Sequence, residues 1–180
     1  SICRAGDDYY IVNSSFEYFP GLPIHHSKDL VNWELIGYGL HREDQCNGDM
    51  NLVDVQSDGG IHAPTIRYHK GTFYIITTNV YNSGDGKPGV MRNFVITAKD
   101  PSGPWSQPHI IADAPGIDPD IFFDTNGKVY FTGTHAPGDM NANGIGEIWI
   151  QELDIKKWEL KGDRHTIWDG VFGCCTEGPH

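Results

Sequence analysis

A two-part phrase recurs three times along this chain, and it limits what the chain can fold into more than any other feature. Its first half is a turn followed by an aromatic strand: Gly6-Asp7-Asp8-Tyr9-Tyr10-Ile11-Val12, Lys70-Gly71-Thr72-Phe73-Tyr74-Ile75-Ile76 and Asn126-Gly127-Lys128-Val129-Tyr130-Phe131. Its second half is a strand, a tight polar turn and a tryptophan, ending at Trp33, Trp105 and Trp158. Tyr10, Tyr74 and Tyr130 lie 64 and 56 residues apart, and the tryptophans 72 and 53. Helical periodicity is almost absent, and short β-type runs are separated by Gly, Asp, Asn and Pro. A repeat of that length with about four strands predicts an all-β fold built of β-propeller blades. One four-stranded sheet cannot bury both of its faces alone, whereas sheets stacked radially can. Trp33, Trp105 and Trp158 are therefore expected between blades. Asp29, Asp100 and Asp154 are expected to form turns by bonding their own backbone. Because these positions repeat, they belong to the scaffold and not to the chemistry. About three blades are present, and propellers typically have four to eight. Residues 1–180 thus read as a single partial domain, truncated at both ends.

Charge narrows the partners. Thirteen basic against 24 acidic residues give −11, which argues against nucleic acid and anionic membrane surfaces. Aromatic residues at 12% suit a neutral polar ligand such as a sugar, whose C–H faces stack on rings. No stretch approaches the roughly 18 apolar residues of a membrane span. The chain opens at Ser1 without a methionine, so localisation stays open beyond a soluble character. Cys3, Cys46, Cys174 and Cys175 lack zinc-like spacing, and the adjacent pair is a poor disulfide framework. The histidines form no metal-binding pattern, and no metal site is assigned. Gly84-Asp85-Gly86-Lys87-Pro88-Gly89 lacks the spacing and context of a nucleotide loop and reads as a surface loop.

Residues outside the repeat carry the candidate chemistry. Thr176-Glu177-Gly178-Pro179-His180 sets one carboxylate in a turn stiffened by Gly178 and Pro179. The preceding Cys174, Cys175 and Thr176 are small and weakly polar, so poor solvation of Glu177 is expected. Poor solvation favours the neutral acid and raises its pKa, as a general acid working near neutral pH requires. The competing reading is an ordinary surface glutamate.

Six stretches, in order from one end to the other, resemble glycoside hydrolase family 43, most closely its β-xylosidase branch. They are Ser1-Ile2-Cys3-Arg4, the segment from Ser14 to Ile24, Ser27 to Trp33, Ala63 to Tyr68, Gly116 to Asp124, and Thr176 to His180. The resemblance implies a five-bladed β-propeller and an inverting glycosidase that uses three carboxylates. Glu177 matches the general acid. Asp118 matches the aspartate that orients this acid and modulates its pKa. The matching general base lies just upstream of Ser1. Asp7 and Asp8 occupy a hairpin turn and are not read as that base. Asp120 and Asp124 are read as turn and surface residues.

The resemblance also suggests the pocket. Phe16 would line the subsite for the terminal sugar, with core packing as its alternative. His62 stands where relatives often carry a large aromatic, and an imidazole both stacks and hydrogen-bonds. Arg67 could reach a carboxylate or a sugar hydroxyl, or form a structural salt bridge. The segment from His41 to Asn51 is expected at the pocket rim, and Asn141 to Gly146 in another polar loop. No organic cofactor is implied; some relatives hold a calcium ion in the central channel, with ligands unassigned here. The expected activity is exo-acting release of xylose from β-1,4-xylo-oligosaccharides, with xylo-oligosaccharide or arabinoxylan as substrate and with the isolated 180-residue piece inactive. The alternatives are α-L-arabinofuranosidase activity on the same scaffold and a non-catalytic carbohydrate-binding propeller.

Overall fold

The computed structural model describes residues 1–46, 50, 52, 55–81, 90–135, 146–169 and 176–179. Among the described residues, twelve strands form three four-stranded antiparallel sheets, each a meander whose spatial order follows the chain. The first sheet holds β1 (Ile2–Ala5), β2 (Asp8–Val12), β3 (Gly21–Ser27) and β4 (Glu34–Leu40). The second holds β5 (Gly60–His69), β6 (Thr72–Tyr81), β7 (Val90–Ala98) and the short β8 (His109–Ile110). The third holds β9 (Ile117–Phe123), β10 (Val129–His135), β11 (Glu147–Asp154) and β12 (Glu159–Trp168). Three stacked four-stranded antiparallel sheets fit part of a β-propeller.

The repeat read from sequence reappears as a shared register. Cys3 faces Tyr10, Arg67 faces Tyr74, and Phe122 faces Tyr130, so the three tyrosines occupy one structural position. The β5–β6 hairpin turns on Lys70 and Gly71, both left-handed at φ 48° and 76°. Two positive φ values in succession give the turn the twist of its flanking strands. The turn aspartates behave as expected. Asp29 Oδ1 accepts from the Val31 and Asn32 amides, Asp100 Oδ1 from Ser102, and Asp154 Oδ1 from Lys156 and Lys157.

Alternation along the second sheet builds two cores. Ile75, Phe94 and Ile96 join Val12, Leu22, Ile24, Ile66, Phe73 and Trp105 between the first and second sheets. Ile76 and Val95 point the other way and join Ile121, Phe131, Trp149 and Leu153 between the second and third. Side chains of period two thus bury both faces of the middle sheet. Two tryptophans follow the expectation: Trp105 is buried in the first core, and Trp158 packs on the second, stacked on His109 at 5.1 Å. Trp33 does not. Its indole Nε1 only donates to the Leu30 carbonyl. Each of the other two packs towards the sheet before its own, and within this chain the first sheet has none.

Candidate active site

The third sheet sets Asp118 at a break in its ladder. Ile117 pairs with Thr134 and Asp120 with Thr132, so three steps on β9 oppose two on β10. The surplus falls on Asp118-Pro119, and Asp118 takes a left-handed φ of 55°. A non-glycine residue before proline avoids this conformation, and such strain persists only where the surroundings hold it. Gly116 helps to hold it: a Cβ there would lie 1.8 Å from the Thr134 carbonyl oxygen. The bulge re-aims the side chain. Asp118 is buried, and its Oδ2 accepts a hydrogen bond of 3.1 Å from the Gly178 amide.

That bond brings the two predicted carboxylate positions together across 60 residues of sequence. Thr132 Oγ1 also donates to the Pro179 carbonyl at 3.4 Å, so two groups of the third sheet hold the turn. The turn's solvation differs from the expectation. Thr176 takes the buried place and Glu177 is exposed. The described residues therefore do not supply the desolvation that the small neighbours of Glu177 suggested. Glu177 is thus exposed on a turn held through the backbone of its neighbour Gly178.

Phe16 and His62 meet on the first and second sheets' side. Phe16 and Ile61 exchange both backbone hydrogen bonds at 3.0 Å, and the Phe16 ring meets the His62 ring edge-on at 5.0 Å and 78°. Phe16 is 41% exposed within this chain and belongs to neither of its two cores. The β5 strand carries a second bulge, where His62 pairs with Thr78 and Thr65 with Ile76. Its surplus falls on Ala63-Pro64, with Ala63 at φ 41°. The Ser14 hydroxyl accepts the Ala63 amide at 2.9 Å, and Thr77 Oγ1 donates to the His62 carbonyl at 2.6 Å. Sequence reading missed both hydroxyls, since each meets its partner only once the sheets pair.

Arg67 forms an ion pair with Asp120 at 2.5 Å and also donates to the Ile66 carbonyl. Of the roles open to Arg67, this contact is the structural salt bridge. For Asp120 it is a correction. Instead of lying at a turn or surface, Asp120 is buried within β9, because the strand continues past the bulge and points it at the second sheet. The i, i+2 spacing from Asp118 was the available signal. Beside the pair, the Ser1 nitrogen donates to the Val12 and Pro64 carbonyls at 3.0 Å, and Ser1 Oγ accepts from the Ile66 amide.

The third sheet thus carries a buried aspartate on a strained bulge, bound to the backbone of a Glu-Gly-Pro turn. The sequence pattern of the family described as glycosyl hydrolases family 43 matches residues 1–180. The chain belongs to family 43. A xylosidase/arabinosidase of Butyrivibrio fibrisolvens is 49% identical, with all of this chain aligned to 33% of that protein. A non-reducing end α-L-arabinofuranosidase of Bacteroides ovatus is 42% identical, with all of the chain aligned to 31% of it. The crystal structure of a xylan β-1,4-xylosidase from Bacillus halodurans matches with a TM-score of 0.84 at 36% identity, over 100% of this chain and 33% of the other. The chain thus spans about a third of these family 43 relatives.

The remaining candidates divide simply. The described part of the rim segment is pinned by a 3₁₀ turn, Glu43–Gln45, whose buried Gln45 donates to the Gly39 and Ser106 carbonyls. Burial pushes the Cys3 thiol up to about 11, which leaves it protonated and unreactive. Asp8 accepts a 2.5 Å contact from His26 beside its hairpin. Among the described residues no group of three or more His, Cys, Asp or Glu could hold a metal, so no calcium ligand of this family 43 chain is assigned. A cleft of about 680 Å³, lined by residues including Ile110, Asp113 and Arg164, includes none of Asp118, Glu177, Phe16 or His62. Cys174, Cys175, His180, the 84–89 loop, and the loop from Asn141 except Gly146 lie outside the described residues.

Proposed function

We propose that the full-length protein is an exo-acting, inverting glycosidase that releases xylose from β-1,4-xylo-oligosaccharides, on a propeller of five blades to which residues 1–180 contribute three. Glu177 is the general acid, giving its proton to the glycosidic oxygen as the bond to the leaving sugar breaks. Asp118 orients it. The hydrogen bond from Gly178 to Asp118 is the observation that carries this reading, because a binding module has no need to fix a carboxylate turn on a strained aspartate. In an inverting reaction a second carboxylate, about 6.5–9.5 Å from the acid, activates water on the opposite face of the ring. The register supports a place for it. Ser1 pairs as Thr65 and Asp120 do, so the residue two positions upstream of Ser1 corresponds to Ala63 and Asp118. The 180-residue piece alone is therefore proposed to be inactive. Phe16 and His62 form a wall of the sugar pocket, and Arg67 keeps the channel side ordered through Asp120.

A second reading, α-L-arabinofuranosidase activity, is favoured by the names of two relatives, one of which carries both activities. Full-length protein assayed on aryl β-xyloside and aryl α-L-arabinofuranoside separates the two. Turnover of neither, with xylobiose still bound, would instead support the non-catalytic carbohydrate-binding propeller.

A further inference from the structure

We infer that His62 turns Nδ1 to the bound pentose as a hydrogen-bond acceptor, so that this wall selects for a particular sugar hydroxyl as well as for a ring face. The inference rests on the reading of Phe16 and His62 as pocket walls. His62 Nε2 lies 2.9 Å from the Asp58 carbonyl oxygen. A carbonyl can only accept, so Nε2 carries the proton and the neutral ring leaves its lone pair on Nδ1. Among the described residues Nδ1 has no partner. The same bond fixes the ring's rotation, because a flipped imidazole would present carbon to Asp58.

The backbone around the ring is built to hold that pose. Phe16, Asp58, Gly60 and Ala63 all have left-handed φ, at 48°, 67°, 85° and 41°. A Cβ on Gly60 would lie 2.1 Å from the Phe16 carbonyl oxygen, so only glycine allows the strand carrying His62 to approach the Phe16 segment this closely. Strain of this kind is tolerated where a side chain must be aimed. The edge-on Phe16 ring blocks one side of the imidazole, which leaves a pre-oriented acceptor beside an exposed aromatic face. A hydroxyl donor satisfies it, whereas a sugar lacking that hydroxyl leaves it unpaired and loses affinity.

The test uses full-length wild type, His62→Phe and His62→Gln with aryl β-xylosides deoxygenated in turn at C2, C3 and C4. At one position the deoxy substrate is expected to lose about tenfold more kcat/KM with wild type than with His62→Phe, an effect of the size of one hydrogen bond. His62→Gln, which keeps an acceptor oxygen, should retain part of that difference and serves if the phenylalanine variant does not fold. Differences under twofold at all three positions, while His62→Phe still alters KM for the parent xyloside, would overturn the acceptor role and leave the pocket reading standing. If neither variant changes kcat or KM for any glycoside, the pocket reading itself fails.

Discussion

Ala63 and Asp118 occupy the same place in consecutive sheets. Each is the left-handed residue before a proline, at a bulge where three steps of an inner strand oppose two of its neighbour. One ends in a methyl group tied through its backbone to Ser14, and the other in a buried carboxylate that grips the Gly178 amide. The backbone device is therefore shared by two sheets while the chemistry is not: the fold repeats a strained elbow and places a methyl group on one and a carboxylate on the other. A strained backbone marks where a functional group can be aimed, and the residue type says whether one is.

Breaking the Asp118 side of the comparison should give the largest effects. In full-length protein, Glu177→Gln is expected to lower kcat on xylobiose by about 10³-fold while leaving binding by calorimetry nearly intact. An aryl xyloside with a good leaving group, which needs little protonation, should suffer far less. Equal losses on both substrates would assign the acid role elsewhere. Asp118→Ala makes the third-sheet elbow a copy of the second and should cost about 100-fold in kcat by letting the acid turn drift; a change in KM alone would contradict an orienting role. The reverse substitution, Ala63→Asp, should add no activity.

The glycines beside the two elbows sharpen the equivalence. A Cβ would lie 1.8 Å from Thr134 O at Gly116 and 2.1 Å from Phe16 O at Gly60, and both residues have positive φ. Either alanine variant should cost roughly 3 kcal/mol in urea unfolding, and a loss at one site only would separate the two elbows. The smallest effect concerns the shared turns. Lys161 and then the Lys156 amide hold the Asp154 carboxyl down to about 2, below its unfolded value near about 3.9. Its stabilisation is thus present above about pH 4 and is lost as pH falls through about 2. Asp154→Ala should lower the urea midpoint at pH 6, with the difference from wild type shrinking towards zero in strong acid.

Much of this was legible in one dimension because it is local. The turn aspartates, the Lys70-Gly71 hairpin and the repeated tyrosines depend on near neighbours, so spacing and residue type suffice to find them. The pairing of Asp118 with the 176–179 turn came from resemblance, and geometry supplied the physical link. What stayed hidden depends on how sheets face each other. Asp120 reads as a turn former until the second sheet brings Arg67 to it. The exposure of Glu177 depends on which residue of its turn faces inward, and composition alone pointed the wrong way. Trp33 shares its motif with Trp105 and Trp158 but, within this chain, lacks the sheet against which they pack.

The two-sided burial of the middle sheet bears on how such a protein can change over time. A slip of β6 by one residue would turn Phe73 and Ile75 out of one core and Tyr74 and Ile76 out of the other, so that strand is held in register from both of its faces. The segments hung from the sheet ends carry no such double obligation. Under the proposed function, sugar preference would be expected to change by exchange near the bulged start of β5, at positions such as 62, while the central strands keep their alignment.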